Sequence, residues 1–252
     1  MANIQISLIN QSTVLSDADV KAALPALQTQ VHRDFAPVWG TDADLAFVGA
    51  GQNPAPGSWW LGVFDNSDVA DALGYHDITT EGLPLGKIFA GTDLQTGQSW
   101  TITASHELLE MLGDPDINLT VLVQSSDTAG RLYAYEVCDA CEADNLGYLI
   151  DGVRVSDFVF PSWFESFRAP GSAKFDQQGQ ISQPFQLLPG GYIGIFDIGS
   201  GTGWTQLNAA KPLTALQRPR LGSRRERRRA LRTHWMKSSP DRELAYRTAR
   251  RG

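Results

Sequence analysis

The stretch SHELLEMLGDP, residues 105–115, is the part of the sequence that most constrains the fold. Its leucines recur at three- and four-residue spacing, so residues 101–112 are predicted to form a helix anchored in the core by an apolar face. Gly113 stands where a left-handed helix cap is common, and Pro115 cannot continue a helix. We therefore expect a core helix with a sharply defined end.

His106 and Glu110 are the residues of this helix that could bind a metal ion together. Residues four apart lie above one another on one helix face, so the two side chains project into the same small volume. That arrangement suits two ligands of one metal ion. Glu107 projects about 100° further round and could act as the general base on water bound to the ion. The alternative interpretation is an ordinary amphipathic helix with exposed glutamates.

A tetrahedral site with one open position needs a third protein ligand. The segment YAYEVCDACEA, residues 133–143, offers Glu136 and Asp139, and we rank Glu136 first. Asp114, directly after the helix, could be a ligand or could hold the His106 ring in one tautomer.

The expected ligand set also bears on which metal is bound. Two carboxylates and one imidazole place a charge of about −2 on the ion, which weakens its pull on bound water. Carboxylate ligands shift the preference towards harder ions. We expect Zn²⁺, with Mn²⁺ or Ca²⁺ as alternatives.

Several other residues have both a chemical and a structural interpretation. Tyr135 and Trp163 could line a substrate cleft; packing in the core is favoured for the tyrosine and a substrate role for the tryptophan. His76 could be a remote ligand, although a lone histidine in such a segment more often caps a turn. Cys138 and Cys141 form a CxxC pair that could be half of a zinc site or a redox couple, but buried thiols are favoured.

Strand signals flank the helix on both sides. Apolar alternation and short apolar runs bounded by Gly, Pro, Asn and Asp predict strands. Ser16 and Asp19 form an acidic capping box at the start of an earlier helix. The predicted strands are residues 4–9, 45–50, 59–64, 83–90, 133–137, 148–160 with a turn at Asp151-Gly152, and 192–198. The expected fold class is α+β with a mixed sheet.

The charge distribution divides the chain. From Arg218 to the end there are 13 Lys and Arg and 3 Asp and Glu, whereas the preceding part has 8 and 25. We therefore expect a metal-binding domain over residues 1–216 and a basic, exposed or helical tail over residues 217–252. The tail could bind an acidic partner or, less favoured, nucleic acid.

Residues 1–11 lack the pattern of a secretory signal, and no run of about 18 apolar residues predicts a membrane span. Two cysteines are too few for a disulfide scaffold. A cytoplasmic or virion-associated protein is therefore expected.

The HELLE sequence resembles the HExxH motif of zincin metallopeptidases, with glutamate in place of the second histidine. The block SHELLEMLGDPDIN, YAYEVCDACEA and VSDFVFPSWF, within residues 105–164, is similar to a set of bacterial and phage proteins and, more distantly, to plant EXORDIUM-like proteins. The zincin resemblance implies a peptidase-like hydrolase whose edge strand, here residues 84–90, receives an extended peptide. The alternative is a catalytically inert, metal-stabilised binding or assembly protein, possibly of phage origin.

Overall fold

The structure is a computed structural model that describes residues 3–68, 72–126, 128–200 and 203–209. Its larger sheet consists of β1 (Ile4–Asn10), β2 (Ala43–Val48), β3 (Trp59–Phe64), β4 (Gly74–Ile78) and β5 (Pro84–Phe89). The spatial order is β2-β1-β3-β5-β4. All neighbours pair in parallel except β4, which pairs antiparallel with β5 at one edge.

Four α-helices accompany this sheet: α1 (Asp17–Thr29), α2 (Ala36–Trp39), α3 (Ala90–Thr96) and α4 (Trp100–Gly113). A π-helical segment, Gln30–Phe35, joins α1 to α2. The predicted capping box is present, because Ser16 and Asp19 hydrogen-bond reciprocally at the start of α1. The α4 helix carries the HELLE sequence and is buried from Ile102 to Leu112.

A second, antiparallel sheet follows α4 in the chain. Its strands are β6 (Thr120–Gln124), β7 (Gly130–Ala134), β10 (Tyr192–Asp197) and β11 (Trp204–Asn208), in the order β11-β10-β7-β6. Between them, β8 (Tyr148–Ile150) and β9 (Val153–Val155) form a hairpin. The hairpin turns at Asp151 and Gly152, both with positive φ, as the sequence predicts.

The α4 helix lies at the centre of the molecule. It packs against β4 and β5 of the larger sheet and against β9 of the hairpin. Leu108, Leu109 and Leu112 belong to the main core, which also contains residues of β1, β3 and α1. A second core, around Trp163 and Phe175, lies under the antiparallel sheet. Both cores meet the segment that joins β7 to β8, and this segment carries Glu136 and Asp139.

The α+β class and the four predicted strands of the larger sheet, β1, β2, β3 and β5, are confirmed. Several details of the prediction are wrong. The strand predicted over residues 133–137 is β7, Gly130–Ala134, the one predicted to run to residue 160 ends at Val155, and β6 and β11 were not predicted. The edge of the sheet beside β5 is formed by β4, which the sequence did not predict, and Pro84–Phe89 is an inner strand. Gly113 is the last helical residue and has no positive φ; a β-carbon there would lie 3.0 Å from Cγ1 of Val137, so close packing explains the glycine.

The structure covers less of the chain than the predictions do. The proposed boundary at residue 216 and the basic tail over 217–252 lie outside the described residues. Within the described part, no helix is both long enough and apolar enough to cross a membrane.

Candidate metal centre

Three buried side chains converge beside α4. His106 Nε2 lies 3.3 Å from Oε2 of Glu110, one helical turn away, and 3.3 Å from Oδ1 of Asp139. One donor atom from each of the three residues lies within 4.8 Å of the other two. The sequence expectation that His106 and Glu110 share one volume is therefore met by the helix geometry, and Asp139 completes the group.

The carboxylate of Glu110 is oriented by the chain that crosses beside it. The backbone N–H of Cys138 donates to Oε1 of Glu110 over 3.3 Å. This contact turns Oε2 towards two imidazole rings, because Oε2 lies 3.3 Å from Nε2 of His106 and 3.4 Å from Nδ1 of His76. Glu110 is thus the central carboxylate of the cluster.

The second imidazole comes from the edge strand. His76 is in the middle of β4, and its Nδ1 lies 3.3 Å from Oε2 of Glu107. Since a carboxylate only accepts hydrogen bonds, Nδ1 is the protonated nitrogen of this pair. The other ring nitrogen, Nε2, is buried and has no hydrogen-bond partner in the described part of the chain. A buried imidazole nitrogen without a partner is costly unless a ligand is bound.

Gly74 lets the edge strand β4 approach the helix closely. A β-carbon at Gly74, two residues before His76 on the same face of β4, would lie 2.7 Å from Cγ2 of Thr103 and 2.8 Å from Oε1 of Glu107. Gly86, the cross-strand partner of His76 on β5, instead packs against Leu61 of β3, because a β-carbon there would lie 2.7 Å from Cδ1 of Leu61. The absence of a side chain at Gly74 lets β4 lie directly against α4.

His76 also belongs to a second group of donors. His76, Glu110 and Glu136 each offer one atom within 4.8 Å of the other two. Glu110 is the residue that the two groups share. The six side chains of the cluster, counting Glu107, are each exposed by only 3–4%.

Asp139 is held in place by its backbone. It begins a short 3-10 turn, Asp139–Cys141, in which the carbonyl of Ala140 accepts a hydrogen bond from the N–H of Leu188 over 2.9 Å. Gly191 packs directly on the same carbonyl, where a β-carbon would not fit. The turn that presents Asp139 is therefore fixed by the segment just before β10.

The two cysteines beside this turn are buried free thiols. Burial raises the pKa of both Cys138 and Cys141 well above the usual value, and neighbouring carboxylates add to the effect. Thiolates are the reactive and metal-binding form of cysteine. These thiols therefore act as packing residues of the turn, which agrees with the favoured interpretation of the CxxC pair.

The donor spacing matches what a small divalent cation requires. Zinc bonds to nitrogen and oxygen are about 2.0–2.2 Å long, and a tetrahedral angle then separates neighbouring donors by about 3.3–3.6 Å. The distances from Nε2 of His106 to Oε2 of Glu110 and to Oδ1 of Asp139 are both 3.3 Å. The donor set of imidazole and carboxylate groups is also chemically suitable.

The charged groups that lie close to His106 and Glu110 shift the pKa values of both residues. Burial alone would lower the pKa of His106, but Glu110, Asp139 and Glu107 outweigh burial and raise that pKa well above 6.5. Burial alone would raise the pKa of Glu110, but His106 and His76 outweigh it and hold the pKa well below its usual range. The site thus keeps carboxylate charge in a buried environment and attracts a cation, a proton or a metal.

Three residues assigned to the surroundings of the site have other contacts. Asp114 caps the end of α4, where its carboxylate accepts hydrogen bonds from the N–H groups of Asn118 and Leu119. Tyr135 stacks on Phe164 with 4.6 Å between ring centroids, and burial raises the pKa of its hydroxyl. Trp163 is 0% exposed and donates from Nε1 to the carbonyl of Gln186, so it is a core residue instead of a cleft residue.

His76 is a candidate metal ligand that was ranked too low from the sequence. It lies within a strand instead of capping a turn, and it faces α4. The strand escaped prediction because it is short and contains Gly74 and Asp77. The sequence did contain one signal for this contact. Gly74 and His76 lie on the same face of a strand, and a glycine inside a strand often marks a place where another element approaches closely.

Comparisons of the chain with protein-family models, with curated proteins and with solved structures found no match.

Proposed function

We propose that the protein is a metal-dependent hydrolase in which His106, Glu110 and Asp139 hold a divalent cation and Glu107 is the general base. The observation that carries the proposal is the position of Nε2 of His106, 3.3 Å from a carboxylate oxygen of both Glu110 and Asp139. Asp139 replaces Glu136 as the preferred third ligand, since Glu136 groups with His76 instead.

A divalent cation bound there supplies Lewis-acid activation of a water molecule or of a substrate carbonyl. Glu107 is one residue from His106 and has its carboxylate beside the cluster, 3.3 Å from Nδ1 of His76. The His76 hydrogen bond orients this carboxylate, and Glu107 accepts the proton of the attacking water. Zn²⁺ is the first candidate ion, and the carboxylate-rich set also suits Mn²⁺ or Ca²⁺.

A peptide is the proposed substrate, and the zincin-like arrangement is part of the same proposal. Two features support it: α4 carries the HExxE sequence, and the antiparallel strand β4 lies beside α4 at the edge of the mixed sheet. Within the described chain β4 pairs only with β5. An extended peptide could add through backbone hydrogen bonds to the side of β4 that is unpaired within the described residues. In this proposal the strand that receives the peptide is β4 and not residues 84–90.

A second candidate function is a metal-stabilised binding or assembly protein without catalysis. The observation that favours it is the burial of all six donor and base side chains, each only 3–4% exposed. Structural metal sites use protein ligands at every position, whereas catalytic sites keep one position open for water. Two further buried donors, His76 and Glu136, group with Glu110 beside this set.

The deciding experiment measures metal content and hydrolysis on the same preparations. The protein is purified without a histidine tag, and bound metals are quantified by elemental mass spectrometry for wild type, Glu110→Gln and the surface control Glu165→Gln. Bound metal that is lost only in Glu110→Gln supports the metal site. Metal-dependent cleavage of a fluorogenic peptide library supports the hydrolase, and bound metal without cleavage of any library supports the second candidate. A protein that neither retains nor takes up metal contradicts both.

A further inference from the structure

We propose that the cluster is a dinuclear centre in which Glu110 bridges two divalent cations, with His106 and Asp139 on one side and His76 and Glu136 on the other. This inference rests on the metal site of the proposed function and adds a second ion to it. The second position involves residues from the edge strand and from the segment after β7.

The grouping of donor atoms supports two positions over one. Within the described residues, the donors fall into two groups of three instead of one group of five, and each group fits a sphere around one ion. Glu110 is common to both, and its Oε2 contacts both imidazoles, 3.3 Å from Nε2 of His106 and 3.4 Å from Nδ1 of His76. A carboxylate that contacts two imidazole ligands is suited to bridge two ions.

The charge of the cluster supports the same conclusion. Four carboxylates, those of Glu107, Glu110, Glu136 and Asp139, are each at most 4% exposed. Two histidines, His76 and His106, contact these carboxylates within the described residues. Neutral imidazoles are the form that binds metal. With all four carboxylates ionised, one divalent cation would leave two buried negative charges, and two divalent cations would balance all four.

The nitrogen atom Nε2 of His76 is a third and independent sign of a ligand. It is buried and has no hydrogen-bond partner in the described chain, while Nδ1 of the same ring is occupied by Glu107. A metal-bound histidine commonly donates its other N–H to a carboxylate, which fixes the ring and its tautomer. The pair His76 and Glu107 has this form.

The test is the stoichiometry of Mn²⁺ binding to the metal-free full chain, measured by isothermal titration calorimetry and equilibrium dialysis. We expect two equivalents per chain for wild type and one for His76→Ala and Glu136→Gln. His32→Ala is the matched control, because His32 is a partly exposed histidine paired with Asp42 on the surface. It should keep two equivalents. Circular dichroism and thermal melts show whether each variant is folded.

A measurement on wild type alone avoids dependence on variants. Electron paramagnetic resonance of the Mn²⁺-loaded protein should give the exchange-coupled spectrum of a close pair of ions. One equivalent with the spectrum of isolated ions overturns the dinuclear centre while leaving the proposed function standing. Two equivalents that persist in His76→Ala and Glu136→Gln also overturn it, because the second ion then lies elsewhere. No binding at all overturns both proposals.

Discussion

Gly74 of the edge strand lies directly against the side chain of Glu107, so a β-carbon at position 74 would stand 2.8 Å from Oε1 and 2.9 Å from Cγ of the glutamate. The same β-carbon would meet Thr103 of α4 at 2.7 Å. This contact sets the distance between β4 and α4. It therefore also determines how close the side chain of His76, two residues further along the strand, comes to α4.

Gly74→Ala should destabilise the protein and weaken metal binding together. The added methyl group overpacks the interface between β4 and α4, and such changes cost about 1–3 kcal/mol. Urea denaturation and Mn²⁺ titration would measure the two effects. Gly199→Ala is the control, because a β-carbon there meets its nearest neighbour, Oδ1 of Asp197, at an ordinary 3.7 Å. Equal behaviour of the two variants would contradict the proposed role of the contact.

Glu107→Gln should abolish most hydrolysis and retain bound metal. An amide keeps the size of the side chain but cannot take a proton from water, and general-base catalysis contributes about 10²- to 10⁴-fold. The measurement is kcat/KM on the best peptide of the library, with metal content determined on the same sample. Glu165→Gln, which changes a surface carboxylate paired with Arg168, should be as active as wild type. Retained activity in Glu107→Gln would exclude it as the base.

Removal of the metal should lower the melting temperature. A ligand at about 100 times its Kd stabilises the folded state by about 2.7 kcal/mol, which corresponds to about 5–10 °C for a domain of roughly 200 residues. Calorimetry of wild type with EDTA and with added Mn²⁺ would measure the difference. Glu110→Gln should show little difference between the two conditions. A melting temperature of wild type that does not respond to metal would argue against an ordered site.

The buried pair Asp157 and Asp176 should make stability fall with rising pH. Burial, reinforced by Asp176, raises the pKa of Asp157 to about 8, so the folded state holds a proton that the unfolded state releases near pH 4. The free energy of unfolding should therefore decrease between about pH 4 and pH 8, by at most about 1.4 kcal/mol per pH unit for one proton, and level off above pH 8.

Two amide variants separate the members of this pair. Asp157 uses Oδ1 for the N–H groups of Phe158 and Gln178, so Asp157→Asn keeps these bonds and should remove the pH-dependent loss. Asp176 uses both oxygens as acceptors, from Gln180 and Ile181. Asp176→Asn should therefore lower stability at every pH. Chemical denaturation at several pH values would measure both, and an unchanged pH slope in Asp157→Asn would refute the assignment.

The helix α4 and four strands of the larger sheet, β1, β2, β3 and β5, could be predicted from the sequence because their signals are local. The Ser16 cap, the apolar runs of β1 to β3 and the periodicity before Pro115 each depend on neighbouring residues only. The pairing of His106 with Glu110 follows from helix geometry in the same way.

The rest of the site depends on tertiary contacts that no local pattern encodes. The strand with His76 lies against α4 because Gly74 carries no side chain, which is visible only once β4 is placed beside the helix. The choice between Glu136 and Asp139 depends on how the turn after β7 is held, and residues about 50 positions later, Leu188 and Gly191, hold it. Trp163 was assigned to a cleft because the existence of a second core was not predicted.

The anchoring of Asp139 by the chain near Leu188 also has a consequence for the order of events during synthesis. His76 and α4 leave the ribosome long before residues 188–191, which fix the turn with Asp139. A nascent chain shorter than this carries most of the ligands without the geometry to hold an ion tightly. We therefore expect the proposed centre to acquire its metal only after residues 188–191 have been synthesised.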